Sequence, residues 1–187
     1  NEKLKVLFEI MIVIEYLHNN ELIYRDLKPN NLILDKNRNV VLIDLDRMVK
    51  NGEVLSDNQN TNLDGDYLSP EINSGQSFSY PTDIYSIGRI IYFLFGNEFK
   101  EKEIQNEHLI KIIKGIYCKC TQNKPENRPK ICELINMFYS DLYCKIISNG
   151  LIKPTIEEIQ NLHKNKDDIL WFLIAEIDSE ISQKNLS

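Results

Sequence analysis

The sequence is poor in the residue types that make metal, membrane and nucleic-acid proteins. Its longest apolar runs, Ile10–Ile14 and Ile90–Phe95, fall far short of the roughly 20 residues a helix needs to cross a bilayer, so no membrane partner is expected. Cationic excess is missing too. Lys and Arg number 22 against 28 Asp and Glu, for a net charge of −6, which offers nucleic acid and anionic lipid no attraction. Cysteine is scarce, at Cys118, Cys120, Cys132 and Cys144. A lone C-x-C with scattered partners and no His at ligand spacing is a poor zinc pattern. Reduced thiols suit an intracellular, cytoplasmic protein. No leader is visible. The chain opens on Asn1 rather than Met and runs directly into an apolar helical pattern, so a piece of something longer is expected.

What is present is the composition of an ordinary soluble domain, 42% hydrophobic and 27% charged over 187 residues: one domain, or one lobe with a tail. Leu4, Leu7, Phe8, Met11, Ile12, Tyr16 and Leu17 recur at helical spacing, and Val6, Ile10, Val13 and Ile14 fill the remaining faces. This predicts a helix buried nearly all round, stopped at His18-Asn19-Asn20, where His18 reads as a satisfied histidine at a helix end. Leu32–Leu34 and Val40–Ile43 flank the turn residues Asp35–Asn39 and predict strand–turn–strand. Between helix and strands lies a polar loop with one acid, two cations and an amide: Tyr24-Arg25-Asp26-Leu27-Lys28-Pro29-Asn30-Asn31.

That loop resembles the catalytic loop of eukaryotic protein kinases, H-R-D-L-x-x-x-N before an apolar strand, with Tyr24 in the place of His. Further stretches follow in the family's order. Asp44-Leu45-Asp46 stands where the family has D-F-G, and Tyr67-Leu68-Ser69-Pro70-Glu71 is close to Y-x-A-P-E. Asp83-Ile84-Tyr85-Ser86-Ile87-Gly88 through Gly96 follows the family's central helix, and Pro125-Glu126-Asn127-Arg128-Pro129 its D-P-x-x-R-P turn. Thr82 or Asp83 can cap the start of that helix and Gly96 its end. Gly88 is costly in a helix unless another backbone comes close. The resemblance covers roughly residues 4 to 147.

The fold it implies is α+β, mainly α: the large C-terminal lobe of a protein kinase, with short β-hairpins at the catalytic and metal-binding loops. Residues 1–147 would form the lobe and 148–187 a helical extension. The function implied is ATP-dependent phosphoryl transfer to Ser/Thr hydroxyls of a protein substrate, with ATP and magnesium as cofactors. Asp26, Lys28 and Arg25 take the catalytic positions, Asp26 as base and Lys28 steadying the phosphoryl. Asn31 and Asp44 would bind magnesium, and Ile33, Asn31 and Asp44 the nucleotide. The family also pairs its turn Arg with the Glu of A-P-E, here Arg128 with Glu71, and sends the Asp at position 83 back to the catalytic loop.

Two positions depart from the pattern. Asp46 replaces Gly, and in an extended segment it would share a side with Asp44. Leu63-Asp64 replaces a Gly-Thr pair. The glycine-rich loop, the V-A-I-K lysine and its helix Glu have no counterpart in the 187 residues, so this stretch alone is expected to be inactive and to expose an apolar floor at Leu32, Ile33 and Leu45. The alternative is a pseudokinase or interaction module. Asp46 and Asp64 favour it, whereas Asp26, Lys28, Asn31 and Asp44 together favour catalysis. Ser56 and Thr61 are candidate phosphorylation sites. Two amphipathic helices at 154–162 and 169–181, with a stripe of Trp171, Phe172, Ile174 and Ile177, could dock on the lobe or on a helical partner.

Overall fold

The computed structural model describes residues 2–52, 65–101 and 107–138. Helix α1 (Glu2–Asn19) leads to β1 (Leu22–Ile23), the polar loop, and the hairpin of β2 (Leu32–Leu34) and β3 (Val40–Leu42). Strand β4 (Val49–Lys50) follows, then α2 (Pro70–Asn73), α3 (Tyr80–Phe95), α4 (Glu107–Cys120) and a helical segment at residues 131–138, α5. The architecture is mostly helical with a few short antiparallel strands, as a kinase-like α+β fold requires.

Helix α1 is the spine. Leu4, Leu7, Ile10, Met11 and Ile14 are fully buried, and between Lys3 and Glu15 no residue is exposed. Its neighbours are α3 on one side and the strands on the other. Tyr16 breaks the expected pattern at 66% exposure. The phenol can keep its polar tip in water, so helical spacing alone does not bury it. Burying each large aliphatic side chain contributes about 1.5–3 kcal/mol, and the core runs continuously from α1 through α3 and α4 to Phe138.

The β2–β3 hairpin pairs Leu32 with Leu42, Ile33 with Val41 and Leu34 with Val40. Its turn is closed by Asp35, whose Oδ1 accepts the backbone N–H groups of Asn37 and Asn39, each at 2.8 Å. A second antiparallel pair, β1 with β4, sets Ile23 opposite Val49 and covers a satellite cluster with Phe78. Two residues are too short to show period-two patterning, so this pair is invisible in the sequence.

Helix α3 starts earlier than expected, at Tyr80 with Ser79 as N-cap. Pro81 fits the first turn, where its missing N–H is an orphan in any case. Thr82 is the third helical residue, and its Oγ1 accepts the Ser79 N–H at 3.1 Å. Asp83 is therefore not a cap. Gly96 follows the helix at φ −64°, ψ −25°, so it closes α3 without left-handed geometry. Gly88 meets the end of α4: an added Cβ would stand 2.6 Å from Thr121 Cγ2 and 2.8 Å from Cys120 Cβ.

Cys118 is exposed and Cys120 buried, both free, as is Cys132. Positions two apart on a helix face different ways, so the C-x-C cannot act as a chelating pair. Burial pushes the Cys120 thiol up to about 12. Leu63-Asp64, Ser56, Thr61, Cys144 and the stretches at 154–162 and 169–181 lie outside the described residues.

Candidate active site

The polar loop leaves β1 and is tied from below by one carboxylate. Asp83, with no exposed surface, accepts the Tyr24 N–H on Oδ2 at 2.9 Å and the Arg25 N–H on Oδ1 at 3.0 Å. His18 Nε2 also lies 3.0 Å from Oδ2, and the ring packs on Tyr80 at 4.6 Å between centroids. A buried carboxylate requires such partners. Here they hold Arg25 at φ 73°, a left-handed conformation costing a non-glycine residue roughly 1–2 kcal/mol.

The next residue, Asp26, is the centre of a charged cluster. It is only 5% exposed. Oδ1 lies 3.1 Å from Lys28 Nζ, while Oδ2 lies 3.3 Å from Arg47 Nη1 and accepts from Asn31 Nδ2 at 3.2 Å. Asn31 Nδ2 also donates to the Asp26 carbonyl at 2.8 Å. With its nitrogen turned inward, the Asn31 amide has its oxygen as the atom able to face a cation.

Three hydrogen bonds join the loop to the segment after β3. Ile43 N–H donates to the Asn31 carbonyl at 3.1 Å, the Tyr24 hydroxyl donates to the Ile43 carbonyl, and Arg25 Nη1 donates to the Arg47 carbonyl at 3.1 Å. Burial above all, then the charges of Asp26, Asp44 and Asp83, push the Tyr24 phenol well above its ordinary range. It therefore remains a proton donor. The Arg25 guanidinium lies 4.3 Å over the Phe78 ring.

Asp44 follows Ile43 and is itself left-handed, at φ 56° and ψ 48°, which Asp tolerates better than most residues. A 3-10 turn, Leu45–Arg47, begins there. The chain is not extended, so the shared side expected for Asp44 and Asp46 is absent. Nor is Asp46 left-handed, so replacing the family's Gly with Asp introduces no such strain at that position. Asp44 and Asp46 are both exposed. The hairpin presents Ile33, 49% exposed, with Val41 at 44%, and the turn after it Leu45 at 50%, whereas Leu32, expected on the same exposed floor, is half-buried against the core.

Chemically, Asn31 and Asp44 are hard oxygen donors on segments joined by the Ile43 N–H bond to the Asn31 carbonyl. Among the described residues no group of three acids, His or Cys could hold an ion by itself. A two-ligand site fits magnesium, which keeps few protein ligands and completes its shell with water and phosphate oxygens.

Farther from the loop, Arg128 grips Glu71 in a two-pronged pair, Nη1 to Oε1 at 2.6 Å and Nη2 to Oε2 at 2.7 Å. Arg128 also donates to the carbonyls of Gln122 and Pro81. This is the pairing the resemblance implied, and it anchors α2 to the turn before α5.

The structure thus gathers Asp26, Lys28 and Asn31, ties the residue before Asp44 to Asn31, leaves Ile33 on the hairpin, and keeps Arg25 buried as a brace. The sequence reading missed Arg47 and the Tyr24 hydroxyl. For Arg47 the available signal was a cation directly after two acids in Asp44-Leu45-Asp46. Tyr24 gave no signal beyond its replacement of His.

The Protein kinase domain family matches residues 1–163. Serine/threonine protein kinase OSK3 of Oryza sativa subsp. indica is 35% identical over 120 residues, covering 62% of this chain and 23% of that protein. The carbon catabolite-derepressing protein kinase of Secale cereale is 34% identical over 110 residues, 57% of this chain and 21% of that protein. Probable serine/threonine-protein kinase MARK-C of Dictyostelium discoideum is 29% identical over 192 residues, 93% of this chain and 24% of that protein. The chain spans about a quarter of the length of these relatives.

Proposed function

Because this chain belongs to the eukaryotic protein kinase family, we propose that it is the C-terminal-lobe side of a site transferring phosphoryl groups from ATP to Ser/Thr hydroxyls of a protein. The observation that carries this reading is the Asp26 carboxylate. It is buried, oriented by Asn31, and flanked by Lys28 and Arg47. Phosphoryl transfer is mostly positioning and charge stabilisation, and this loop supplies both.

Asp26 accepts the hydrogen bond of the incoming hydroxyl and takes its proton. Lys28 steadies the transferring phosphoryl. Asn31 and Asp44 would hold magnesium, which would supply charge neutralisation at the phosphates. Ile33, on the hairpin directly after Asn31, offers the nucleotide an apolar contact. Arg25 is a positioning residue, since it acts through the Arg47 carbonyl and the Phe78 ring. Lys28 beside Asp26, with the Ser/Thr names of the relatives, supports hydroxyls of the Ser/Thr type.

The 187 residues contain no glycine-rich loop and no V-A-I-K lysine, so the wall that covers ATP must come from elsewhere. The exposed Ile33, Val41 and Leu45 are where that wall would seat. The isolated chain is accordingly inactive on this reading. In the full-length protein, Asp26→Asn should lower turnover by about 10²–10⁴-fold while ATP affinity stays within twofold. Turnover equal to wild type would reject the assignment and favour an interaction module that keeps the fold.

A further inference from the structure

Where α3 meets α4, three cations stand over one aromatic cluster. Tyr92, Phe99 and Tyr117 pack ring against ring, with centroids 5.7–6.4 Å apart. Arg89 and Lys100 each lie 5.8 Å from the Tyr92 centroid, and Lys114 lies 5.9 Å from that of Phe99. Among the described residues no carboxylate pairs with any of the three. Two like charges about one ring repel each other, and a bound acid relieves that repulsion. Beside them is a cavity of about 310 Å³ bordered by Tyr92, Phe93, Asn97 and Lys100. Phe93 is 62% exposed, so a large apolar ring stands in water next to the cations.

Such a face fits an occupant that is apolar and acidic at once, and the chain carries one. From Asp167 to Ile181 the acids are Asp167, Asp168, Glu176, Asp178 and Glu180, with no Lys or Arg among them. The same stretch holds the stripe of Trp171, Phe172, Ile174 and Ile177. The other amphipathic stretch, 154–162, has only Glu157 and Glu158 and no aromatic ring, so it is the poorer match. Reach sets no limit. The described chain ends at Phe138, which stacks on Phe8 at 6.3 Å, while Met137 beside it meets Lys119 of α4. From there residues 139–166 can span up to roughly 90 Å. We propose that residues 167–181 fold back onto this chain's own α3–α4 face. Trp171 and Phe172 would meet Tyr92 and Phe93, and the acids would meet Arg89, Lys100 and Lys114. Asp66, which also lines the cavity, opposes an acidic occupant, so apolar contact must contribute alongside charge. The proposal does not depend on phosphotransfer; it holds equally for a kinase and for an interaction module.

Trp171 is the only Trp of the 187 residues, so its fluorescence in the intact chain reports the contact directly. Acrylamide should quench Trp171 weakly in wild type and strongly in a free peptide of residues 165–181. Exposed ion pairs are individually weak, so Lys100→Glu and Lys114→Glu are combined, and the docked fraction should then fall by roughly tenfold. Far-UV circular dichroism checks that the lobe stays folded. Reversing the acids instead, with Asp178→Lys and Glu180→Lys, should expose Trp171 on the wild-type lobe and restore its protection on the reversed one. If the reversed lobe unfolds, the reversal of the acids, which leaves the lobe untouched, decides alone. Quenching in wild type equal to that of the peptide overturns the proposal. So does protection that survives either reversal, or that the combination fails to restore, since each places the segment elsewhere. Protection lost on dilution gives the face to a second copy and overturns docking within one chain.

Discussion

Asp83 accepts the backbone N–H of Arg25 at 3.0 Å from 58 residues away in sequence. The same carboxylate takes Tyr24 N–H and meets His18, so one buried side chain on α3 orders the chain just before Asp26. Removing it strands two backbone donors, each worth about 1–3 kcal/mol when buried and unpaired. We expect Asp83→Ala to lower stability by roughly 3 kcal/mol or more, read as a fall in the urea midpoint at unchanged slope. A loss below about 1 kcal/mol would mean that water or another residue holds the loop.

The Glu71–Arg128 pair makes a prediction in stability and in pH. Arg128→Met leaves a buried carboxylate and the carbonyls of Gln122, Pro81 and Asn123 without their donor, at a cost of about 3–5 kcal/mol. Burial is the largest single influence and raises the Glu71 carboxyl, but the hydrogen bonds from Arg128 and the backbone, with the Arg128 charge, together outweigh it and hold it below its ordinary range. A depressed carboxylate stabilises the fold above its unfolded value, near 4.3, and that contribution fades as pH falls through the lower folded value. The gap between wild type and Arg128→Met should therefore be full at pH 6 and narrow steadily below about pH 4. A gap that stays constant into strong acid would show that the pair contributes little through its charge.

Gly88→Ala tests the crossing of α3 with α4. Alanine gains up to about 1 kcal/mol of helix propensity, but its methyl would lie 2.6 Å from Thr121 Cγ2. Overpacking of this kind costs about 1–3 kcal/mol. The net effect should be destabilising, and Thr121→Ser should recover part of it, because serine removes Cγ2 yet keeps the hydroxyl bond to the Tyr117 carbonyl. A thermal midpoint that rises on Gly88→Ala would refute the close approach.

Asp46→Gly addresses the departure from D-F-G. Asp46 is exposed in a 3-10 turn and does not share a side with Asp44 by extension. In the full-length protein the substitution should leave phosphotransfer equal or higher, at an unchanged or lower magnesium requirement. A large loss with a raised requirement would make Asp46 a working ligand.

Local and periodic features were legible in the sequence. Helix α1, the β2–β3 hairpin and the Arg128–Glu71 pair were all readable, the first two from spacing and turn residues and the third from family order. The start of α3 was misplaced because Thr82 and Asp83 both read as caps, whereas the cap is Ser79. Arg47 was passed over because its partner lies 21 positions upstream, and no local pattern encodes a contact made by folding. The β1–β4 pair and the left-handed turn at Asp44 escaped for the same reason: each is imposed by neighbours that the chain meets only in three dimensions.

The single bond from the Ile43 amide to the Asn31 carbonyl has a mechanical consequence. It crosses the base of the hairpin, so the span between Asn31 and Asp44 is set there rather than by the strands and turn beyond it. The tip can flex without altering that span, because the Tyr24 hydroxyl on the Ile43 carbonyl holds the same base. The hydrogen-exchange rate of one amide, Ile43, would register whether that base is closed.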